Sequence, residues 1–518
     1  VARLTVVTGF MGAGKTTLAR ELADARGVRH VDTDALLIAR MGKTIPEAFA
    51  DEGEAAFRAA EEEVVLGVLD GAQGEDVVVS LGGGSVLAPR VRAALAGHTT
   101  VLLDVPLDVA WSRAAGRDRP LARDRDAFAA LHGERQALYM SLADAHLPQG
   151  DKGMIVRADG ALRALASAPE GTRMAWASAA SGEYPVFVGR GVLGLAGAGG
   201  FAALPGLGGR TFCVTDEEVV QHHLAPLSAG LSGLVEIGSG ETYKTLESCQ
   251  AVWHAMVEQG VTRSDHLLAL GGGVVGDLAG FCAATYQRGM PVVQAPTTLV
   301  AQVDSAYGGK TGVDLPVAKN YVGAYHQPAA VLADTTTLGT LSAAEYAAGY
   351  AEVVKTALIA GGPLWDTIAA GGPVDDDVIL ACARTKLAVV AADERDGGRR
   401  QVLNLGHTVG HALEVALGYG TLRHGEAVGL GLLAALRLSG LPELRGQVES
   451  LLADAGLPTT LEGHDVDPEA IVAATRLDKK RTTTTRTPFV LVRGAGDVIH
   501  GQDVADDEVV LAVRELVA

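Results

Sequence analysis

Eight residues constrain this chain more than any others. Gly9-Phe10-Met11-Gly12-Ala13-Gly14-Lys15-Thr16 reads G-x-x-x-x-G-K-[ST] directly after the β-branched run Leu4-Thr5-Val6-Val7. That pattern demands a strand, a glycine loop and then a helix, because only such a loop lets successive backbone N–H groups close round phosphates at a helix N-terminus. Gly12, Gly14, Lys15, Thr16 and Thr17 are the expected nucleotide-binding residues. Lys15 would neutralise a transferring phosphoryl group, and the Thr16 hydroxyl would hold Mg²⁺. Val77-Val78-Val79 and Val101-Leu102-Leu103 read as further buried strands between helices, giving an α/β pattern with a parallel sheet.

The chain is much longer than one such unit. At about 150 residues per domain, its 518 residues suggest three or four units. No apolar run approaches the length of a membrane span, and residues 1–8 lack the regions of a secretory signal, so the expected address is the cytoplasm. A net charge of −19 repels nucleic-acid backbones, and 4% aromatic residues leave few stacking platforms for bases, so small phosphorylated metabolites are the better partners. Cys213, Cys249, Cys282 and Cys382 lack C-x-x-C spacing and read as core residues. The expected boundaries are a phosphate-loop domain over 1–165, a linker over 166–177 and a second α/β domain over 178–335. A helical domain follows over 336–518, where alanine- and leucine-rich stretches replace the strands. The threonine run Thr482 to Thr485 reads as a loop.

In the first domain Asp32-Thr33-Asp34 ends the next predicted strand, where one carboxylate can meet the metal and the other a substrate hydroxyl. Arg58, Gly82-Gly83-Gly84, Arg113, Arg119 and Arg135 add anion-facing or close-approach groups, each of which alone would pass for a surface arginine or a loop glycine. Together, with Phe57-Arg58, Arg119-Pro120-Leu121 and Arg135 four residues before Tyr139, these motifs resemble shikimate kinase across nearly all of residues 1–165. The resemblance implies ATP with Mg²⁺, the metal held by Thr16 and Asp32. It implies shikimate held by Asp34, Arg58, Gly83 and Arg135, with Asp34 also taking the hydroxyl proton. Arg119 would lie on a closing lid and Arg113 beside adenine. The segment Arg117 to Asp124 departs from the family's lid in length and detail, which leaves Arg117 as the alternative to Arg119 for the lid residue.

In the second region Leu270-Gly271-Gly272-Gly273-Val274-Val275-Gly276-Asp277 follows a buried-strand candidate and precedes an alanine-rich helix, so it could admit a pyrophosphate to a helix N-terminus. Asp216 ends another strand and could hydrogen-bond a ribose. Glu241 and Lys244, three apart, would face one ligand. Pro296-Thr297-Thr298-Leu299 and Asp304 supply hydroxyls and a carboxylate; Gly308-Gly309-Lys310 and Lys319-Asn320 supply donors suited to phosphate. His407 and His411 are spaced for one helix face, and Glu352 and His424 lie in flanking helical segments that could complete a catalytic zinc site of three protein ligands. His411 is then either a ligand or a neighbour.

These motifs, with Glu352-Val353-Val354-Lys355, Asn404-Leu405-Gly406-His407 and His424-Gly425-Glu426, closely resemble 3-dehydroquinate synthase over about residues 178–518. The resemblance implies a Rossmann-like α/β domain followed by an all-helical one. It implies zinc, with Co²⁺ as an alternative, on Glu352, His407 and His424, leaving His411 as a neighbouring catalytic group. NAD would lie on Asp216, Glu241, Lys244, Gly273, Asp277, Thr297 and Thr298. The substrate would meet Asp304, Lys310, Lys319, Asn320, Lys386 and one of Lys479 or Lys480, with Lys355, Arg400 and Asn404 at the reacting groups and Arg288 reaching a neighbouring subunit's phosphate. Glu218 stands where the family often has a smaller polar residue. The expected whole is a bifunctional enzyme of the shikimate pathway, N-terminal P-loop kinase and C-terminal synthase, forming a homodimer through the synthase half. Two rival expectations are a sugar-phosphate cyclase of secondary metabolism in place of the synthase, and a scaffold with spent sites.

Overall fold

The structure, a computed structural model, describes residues 4–71, 75–115, 121–197, 201, 204, 206–316, 318–475 and 488–517. The chain forms two compact units. One comprises Val1–Ser178, Tyr184–Phe187 and Gly200–Pro205; the other comprises Ala179–Glu183, Val188–Gly199 and Gly206–Ala518.

In the first unit β1 (Thr5–Thr8), β2 (Arg29–Asp32), β3 (Val77–Ser80), β4 (Thr99–Asp104), β5 (Ala145–Pro148) and β6 (Arg173–Ala179) form a parallel sheet in the order β2-β3-β1-β4-β5-β6. Strands β1 and β3 are wholly buried, as continuous apolar runs in a parallel sheet must be. Val6, Val79, Leu102, Phe10, Phe128 and Tyr139 belong to one core. The chain leaves β1 for β2 and β3 on one side and returns to β4 on the other, so a crevice opens at the carboxyl ends of β1 and β4. The glycine loop sits there and feeds the helix Lys15–Arg26.

The linker expected over 166–177 is not a linker. Residues 166 and 167 finish the helix Met154–Ser167, and Met174, Ala175, Trp176 and Ala177 are buried in β6, where Ala145 pairs with Met174. Only the turn at 168–172, with Pro169 and Gly171, lacks regular structure. Burial on both faces removed the alternation that would have marked the strand.

Strand β7 (Gly182–Gly189) is divided between the units. In the second unit β8 (Thr211–Asp216), β9 (Leu231–Ile237), β10 (His266–Gly271), β11 (Val292–Pro296) and β14 (Ala330–Asp334) run parallel in the order β14-β11-β10-β8-β9. The chain goes from β8 outward to β9, then crosses to β10 on the other side. The carboxyl ends of β8 and β10 therefore flank the switch point where open α/β sheets bind ligands. Between β11 and β14 an antiparallel hairpin, β12 (Lys310–Leu315) and β13 (Ala318–Tyr325), carries Lys310, Lys319 and Asn320.

Beyond 336 the unit is helical, as expected, with one addition: the hairpin of β15 (Pro488–Gly494) and β16 (Asp497–Asp503). Helices Ala343–Ala360, His407–Leu417 and His424–Leu438 pack unusually close. A Cβ at Gly425 would fall 1.9 Å from the Ala348 carbonyl oxygen, and one at Gly431 the same distance from that of Gly406. Glycine at these two positions lets the three helices approach and brings Glu352, His407 and His424 together.

Two candidate active sites

In the first unit the loop glycines are conformational necessities. Gly12 has φ 82°, and a Cβ there would lie 2.4 Å from the Ala110 carbonyl oxygen. Lys15 Nζ donates to the Phe10 carbonyl at 3.2 Å, and Arg113 Nη1 donates to the Ala13 carbonyl at 3.0 Å. Thr16 Oγ1 donates to Asp32 Oδ2 at 2.8 Å, while Asp32 Oδ1 caps the helix Thr33–Met41 by accepting from Ala35 N. The hydroxyl and carboxylate thus stand side by side beneath the loop, a donor pair that fits Mg²⁺.

A cleft of about 1120 Å³ runs from the loop across Asp34, Arg58, Gly83 and Arg135, and Thr17 and Arg113 also line it. Arg58 lies 5.6 and 5.4 Å over the rings of Phe49 and Phe57, and its Nη1 is 2.6 Å from Glu61 Oε2. Glu61, buried, also accepts from Ser85 Oγ at 2.9 Å. The sequence reading missed Glu61; its signal was a carboxylate three residues after Arg58, one helical turn on. Tyr139 donates to the Gly83 carbonyl at 2.5 Å; burial pushes its phenol up to about 12 against the opposing pull of Arg135. Arg117 and Arg119 lie outside the described residues.

In the second unit the turn Gly271–Gly273 joins β10 to the helix Gly273–Thr285. Asp216 Oδ1, at the end of β8, accepts from the backbone of Glu218 and Val219 and from Ser239 Oγ. Lys244 is buried, its Nζ 2.7 Å from Asp277 Oδ2, 3.8 Å from Glu241 Oε1 and donating to Asn320 Oδ1 at 2.7 Å. Burial opposes its charge, but Asp277 and Glu241 overcome that and hold its pKa above the ordinary value. Thr297 and Thr298 follow β11 at the same edge of the sheet. A glycine turn at a helix N-terminus, beside the switch point and with a strand-end carboxylate on β8, fits a dinucleotide.

Deeper lies a run of buried charge. Lys355 Nζ sits 2.9 Å from Asp304 Oδ2 and 2.5 Å from Glu352 Oε2; Lys386 pairs with the other Asp304 oxygen and donates to its carbonyl at 2.8 Å. Burial works against the Asp304 charge, but Lys355 and Lys386 hold the carboxyl well below the usual range. Glu352 is lowered in the same way, chiefly by Lys355.

Glu352 Oε1 is 3.5 Å from His407 Nε2 and 3.6 Å from His424 Nε2. His407, His411 and His424 each offer a nitrogen within 4.8 Å of the others. Tetrahedral Zn–N and Zn–O bonds near 2.0–2.1 Å set ligands roughly 3.4 Å apart, close to the separations of Glu352 Oε1 from the Nε2 atoms of His407 and His424, and His411 stands beside these two histidines. One carboxylate and imidazole nitrogens suit Zn²⁺ or Co²⁺.

Other expected substrate groups are engaged within the protein. Arg400, wholly buried, donates to the Gly308 carbonyl at 2.9 Å and to the Glu394 carbonyl, while its Nε, among the described residues, is buried without a hydrogen-bond partner. Lys310 pairs with Asp396 at 2.6 Å, Lys319 with Glu414 at 3.2 Å, and Asn404 donates to the Gln401 carbonyl. Arg288 is exposed at a turn with φ 71° and is not joined to this network. Lys479, Lys480 and the threonine run Thr482 to Thr485 lie outside the described residues. The sequence reading also missed Glu414, although His407, His411 and Glu414 recur at i, i+4 and i+7 on one helix face.

The shikimate kinase family model matches residues 11–163, and the models for the N-terminal and C-terminal parts of 3-dehydroquinate synthase match 234–348 and 349–481. The 3-dehydroquinate synthase of Caulobacter vibrioides (strain NA1000 / CB15N) is 44% identical over 346 residues, spanning 62% of this chain and 92% of that protein. That of Halorhodospira halophila (strain DSM 244 / SL1) is 43% identical over 344 residues, spanning 63% of this chain and 95% of that one. Among solved structures, the 2-epi-5-epi-valiolone synthase ValA of Streptomyces hygroscopicus subsp. jinggangensis 5008, with NAD⁺ and Zn²⁺ bound, is 29% identical with a TM-score of 0.58. The match covers 64% of this chain and 96% of ValA. A 2-deoxy-scyllo-inosose synthase, 24% identical with a TM-score of 0.58, covers 66% of this chain and 100% of its own, and shares the fold.

Proposed function

Because the chain belongs to the 3-dehydroquinate synthase family and carries a shikimate kinase domain ahead of it, we infer that it works as a bifunctional shikimate-pathway enzyme with two separate chemistries. One half phosphorylates shikimate with ATP. The other converts 3-deoxy-arabino-heptulosonate 7-phosphate to 3-dehydroquinate and phosphate.

In the kinase half Gly12, Gly14, Lys15 and Thr17 hold the nucleotide phosphates, with Arg113 beside the loop. Thr16 and Asp32 hold Mg²⁺, and the lid arginine, Arg119, completes charge neutralisation on closure. Arg58, Arg135 and the Gly83 backbone position shikimate, and Asp34 accepts the proton of the attacking hydroxyl. Positioning and charge neutralisation are all that phosphoryl transfer requires of a protein.

In the synthase half Glu352, His407 and His424 would hold zinc, and the Asp216–Gly273–Asp277 edge would hold NAD with Glu241, Lys244, Thr297 and Thr298. Bound NAD supplies a reversible hydride sink, and zinc polarises a secondary alcohol. The chain's own groups do the rest. Lys355, Lys386 and Asp304 form a fixed polar floor beside the metal ligands, His411 stands ready to move a proton, and Asn404 and the unpartnered Arg400 Nε are donors for an anionic group of the substrate. Lys310, Lys319, Asn320, one of Lys479 or Lys480, and Arg288 from a second subunit complete the anion pocket. A homodimer through this half and a cytoplasmic address belong to the same reading; among the described residues, no helix is long and apolar enough to cross a membrane.

The observation that carries the synthase reading is the convergence of Glu352 Oε1 on Nε2 of both His407 and His424 beside the Lys355–Asp304–Lys386 cluster. Identity of 43–44% to 3-dehydroquinate synthases, against 29% to the valiolone synthase, favours the heptulosonate over another sugar phosphate. The test is to supply 3-deoxy-arabino-heptulosonate 7-phosphate, NAD and zinc and to follow phosphate release with dehydroquinate formation. Folded, zinc-loaded protein that yields neither product would refute the reading.

A further inference from the structure

Glu414 takes no part in the chemistry assigned above, yet it is built into the site. Its carboxylate is 5% exposed; Oε2 lies 3.5 Å from His424 Nδ1, and Oε1 accepts a hydrogen bond from Lys319 Nζ at 3.2 Å. Lys319 is in turn fixed 4.6 Å over the Tyr419 ring, so the carboxylate cannot rotate away without breaking an ion pair. The His424 ring is therefore clamped between two carboxylates, Glu414 at Nδ1 and Glu352 at Nε2.

His407 is held in the same way with a different acceptor. Its Nδ1 faces the Leu405 carbonyl at 3.2 Å and its Nε2 faces Glu352 Oε1. An imidazole whose Nδ1–H points at an acceptor presents its lone pair at Nε2, and a carboxylate acceptor makes that nitrogen a stronger metal donor than a carbonyl does. On both rings the nitrogen so exposed is the one beside Glu352. The backbone sets this for His407; for His424, which begins its helix, the Glu414 side chain faces Nδ1 instead.

We propose that Glu414 is a positioning residue of the metal site, fixing His424 with Nε2 toward the metal and strengthening that nitrogen as a ligand. Lys319 holds Glu414 in place, and since Asn320 accepts from Lys244, which pairs with Asp277, strand β13 connects this support to the dinucleotide side of the cleft. The proposal rests on the reading of Glu352, His407 and His424 as metal ligands.

The test uses the full chain stripped of metal, with zinc affinity measured by competition against a chromophoric chelator. Glu414→Gln keeps the shape and loses the charge; Glu414→Asp keeps the charge and withdraws it by one methylene. In protein with a native near-UV spectrum, Glu414→Gln is expected to weaken zinc binding by about 10–100-fold and to shift the visible bands of the cobalt-loaded form. If that variant does not fold, Glu414→Asp carries the same test. Affinity within twofold of wild type in the folded variant overturns the proposal, as does a loss of affinity with unshifted cobalt bands, which would mean general loosening. Wild-type protein that binds no stoichiometric zinc would instead overturn the synthase reading beneath it.

Discussion

Replacing Gly84 with alanine should separate binding from stability in the kinase half. Gly84 has φ −95° and ψ −12°, a conformation alanine adopts freely, so no backbone strain is introduced. The added Cβ would, however, lie 2.0 Å from Arg58 Nη1 and 2.5 Å from its Cζ. Something must move, and the end of a flexible arginine moves most easily. Nη1 is the atom held 2.6 Å from Glu61, so the displacement breaks that charge-assisted bond and carries the guanidinium away from the cleft. A hydrogen bond to a charged group contributes about 1.5–3 kcal/mol, which corresponds to roughly a 10–150-fold rise in KM for shikimate if Arg58 grips its carboxylate. Glu61 keeps Ser85, so the fold should lose no more than about 1–3 kcal/mol. The assay is initial-rate kinetics with shikimate and ATP varied separately, with dehydroquinate formation by the same sample as the control for active protein. KM for ATP and the synthase rate should be unchanged. A shikimate KM within twofold of wild type in folded protein would refute the assignment of Arg58.

Three further expectations follow from buried charge and metal. Lys355→Met leaves Asp304 and Glu352 short of a cation in a fully buried cluster, and should destabilise the metal-free synthase unit by roughly 3–5 kcal/mol in urea unfolding; a change below about 1 kcal/mol would contradict the cluster's role. A zinc-selective chelator should abolish dehydroquinate formation and leave shikimate phosphorylation intact in excess Mg²⁺, which rate measurements on one treated sample will check. His266, wholly buried against Thr211, has its pKa depressed by burial to about 4. Its folded value lies below the unfolded one near 6.5, so the unfolded chain binds the proton first; the stability contributed by the neutral ring is complete above about pH 6.5 and drains away as pH falls toward 4. Urea midpoints of the synthase unit should fall over that window, and His266→Gln should flatten the fall.

What the sequence disclosed and what it concealed divide along physical lines. The phosphate loop was legible because its chemistry fixes residue type at four positions of an eight-residue span. The sheet edges of the second unit were legible because glycine turns must follow buried strands. Strand β6 was concealed: Met174 to Ala177 is a short run of mixed size flanked by Pro169, Gly171 and Gly182, and only pairing with β5 declares it. The hairpins β12/β13 and β15/β16 were concealed because glycines and charges interrupt their apolar alternation, and β15/β16 lies in a region expected to be all helical. Glu61 and Glu414 were concealed for another reason. Acids on amphipathic helices are ordinarily solvated, and only tertiary packing buries these two against Arg58 and His424. The engagement of Arg400 by the carbonyls of Gly308 and Glu394 has no local sequence signal at all.

Two separate active sites in one chain make a requirement that one experiment can meet. Lys15→Ala and Glu352→Ala, purified beside wild type, would each be given shikimate with ATP and Mg²⁺, and separately 3-deoxy-arabino-heptulosonate 7-phosphate with NAD and zinc. Wild type should form both products; Lys15→Ala should lose only shikimate phosphorylation, and Glu352→Ala only dehydroquinate. Loss of both activities from either folded variant, or wild-type protein that is folded and zinc-loaded yet leaves the heptulosonate phosphate intact, would contradict the two-site assignment.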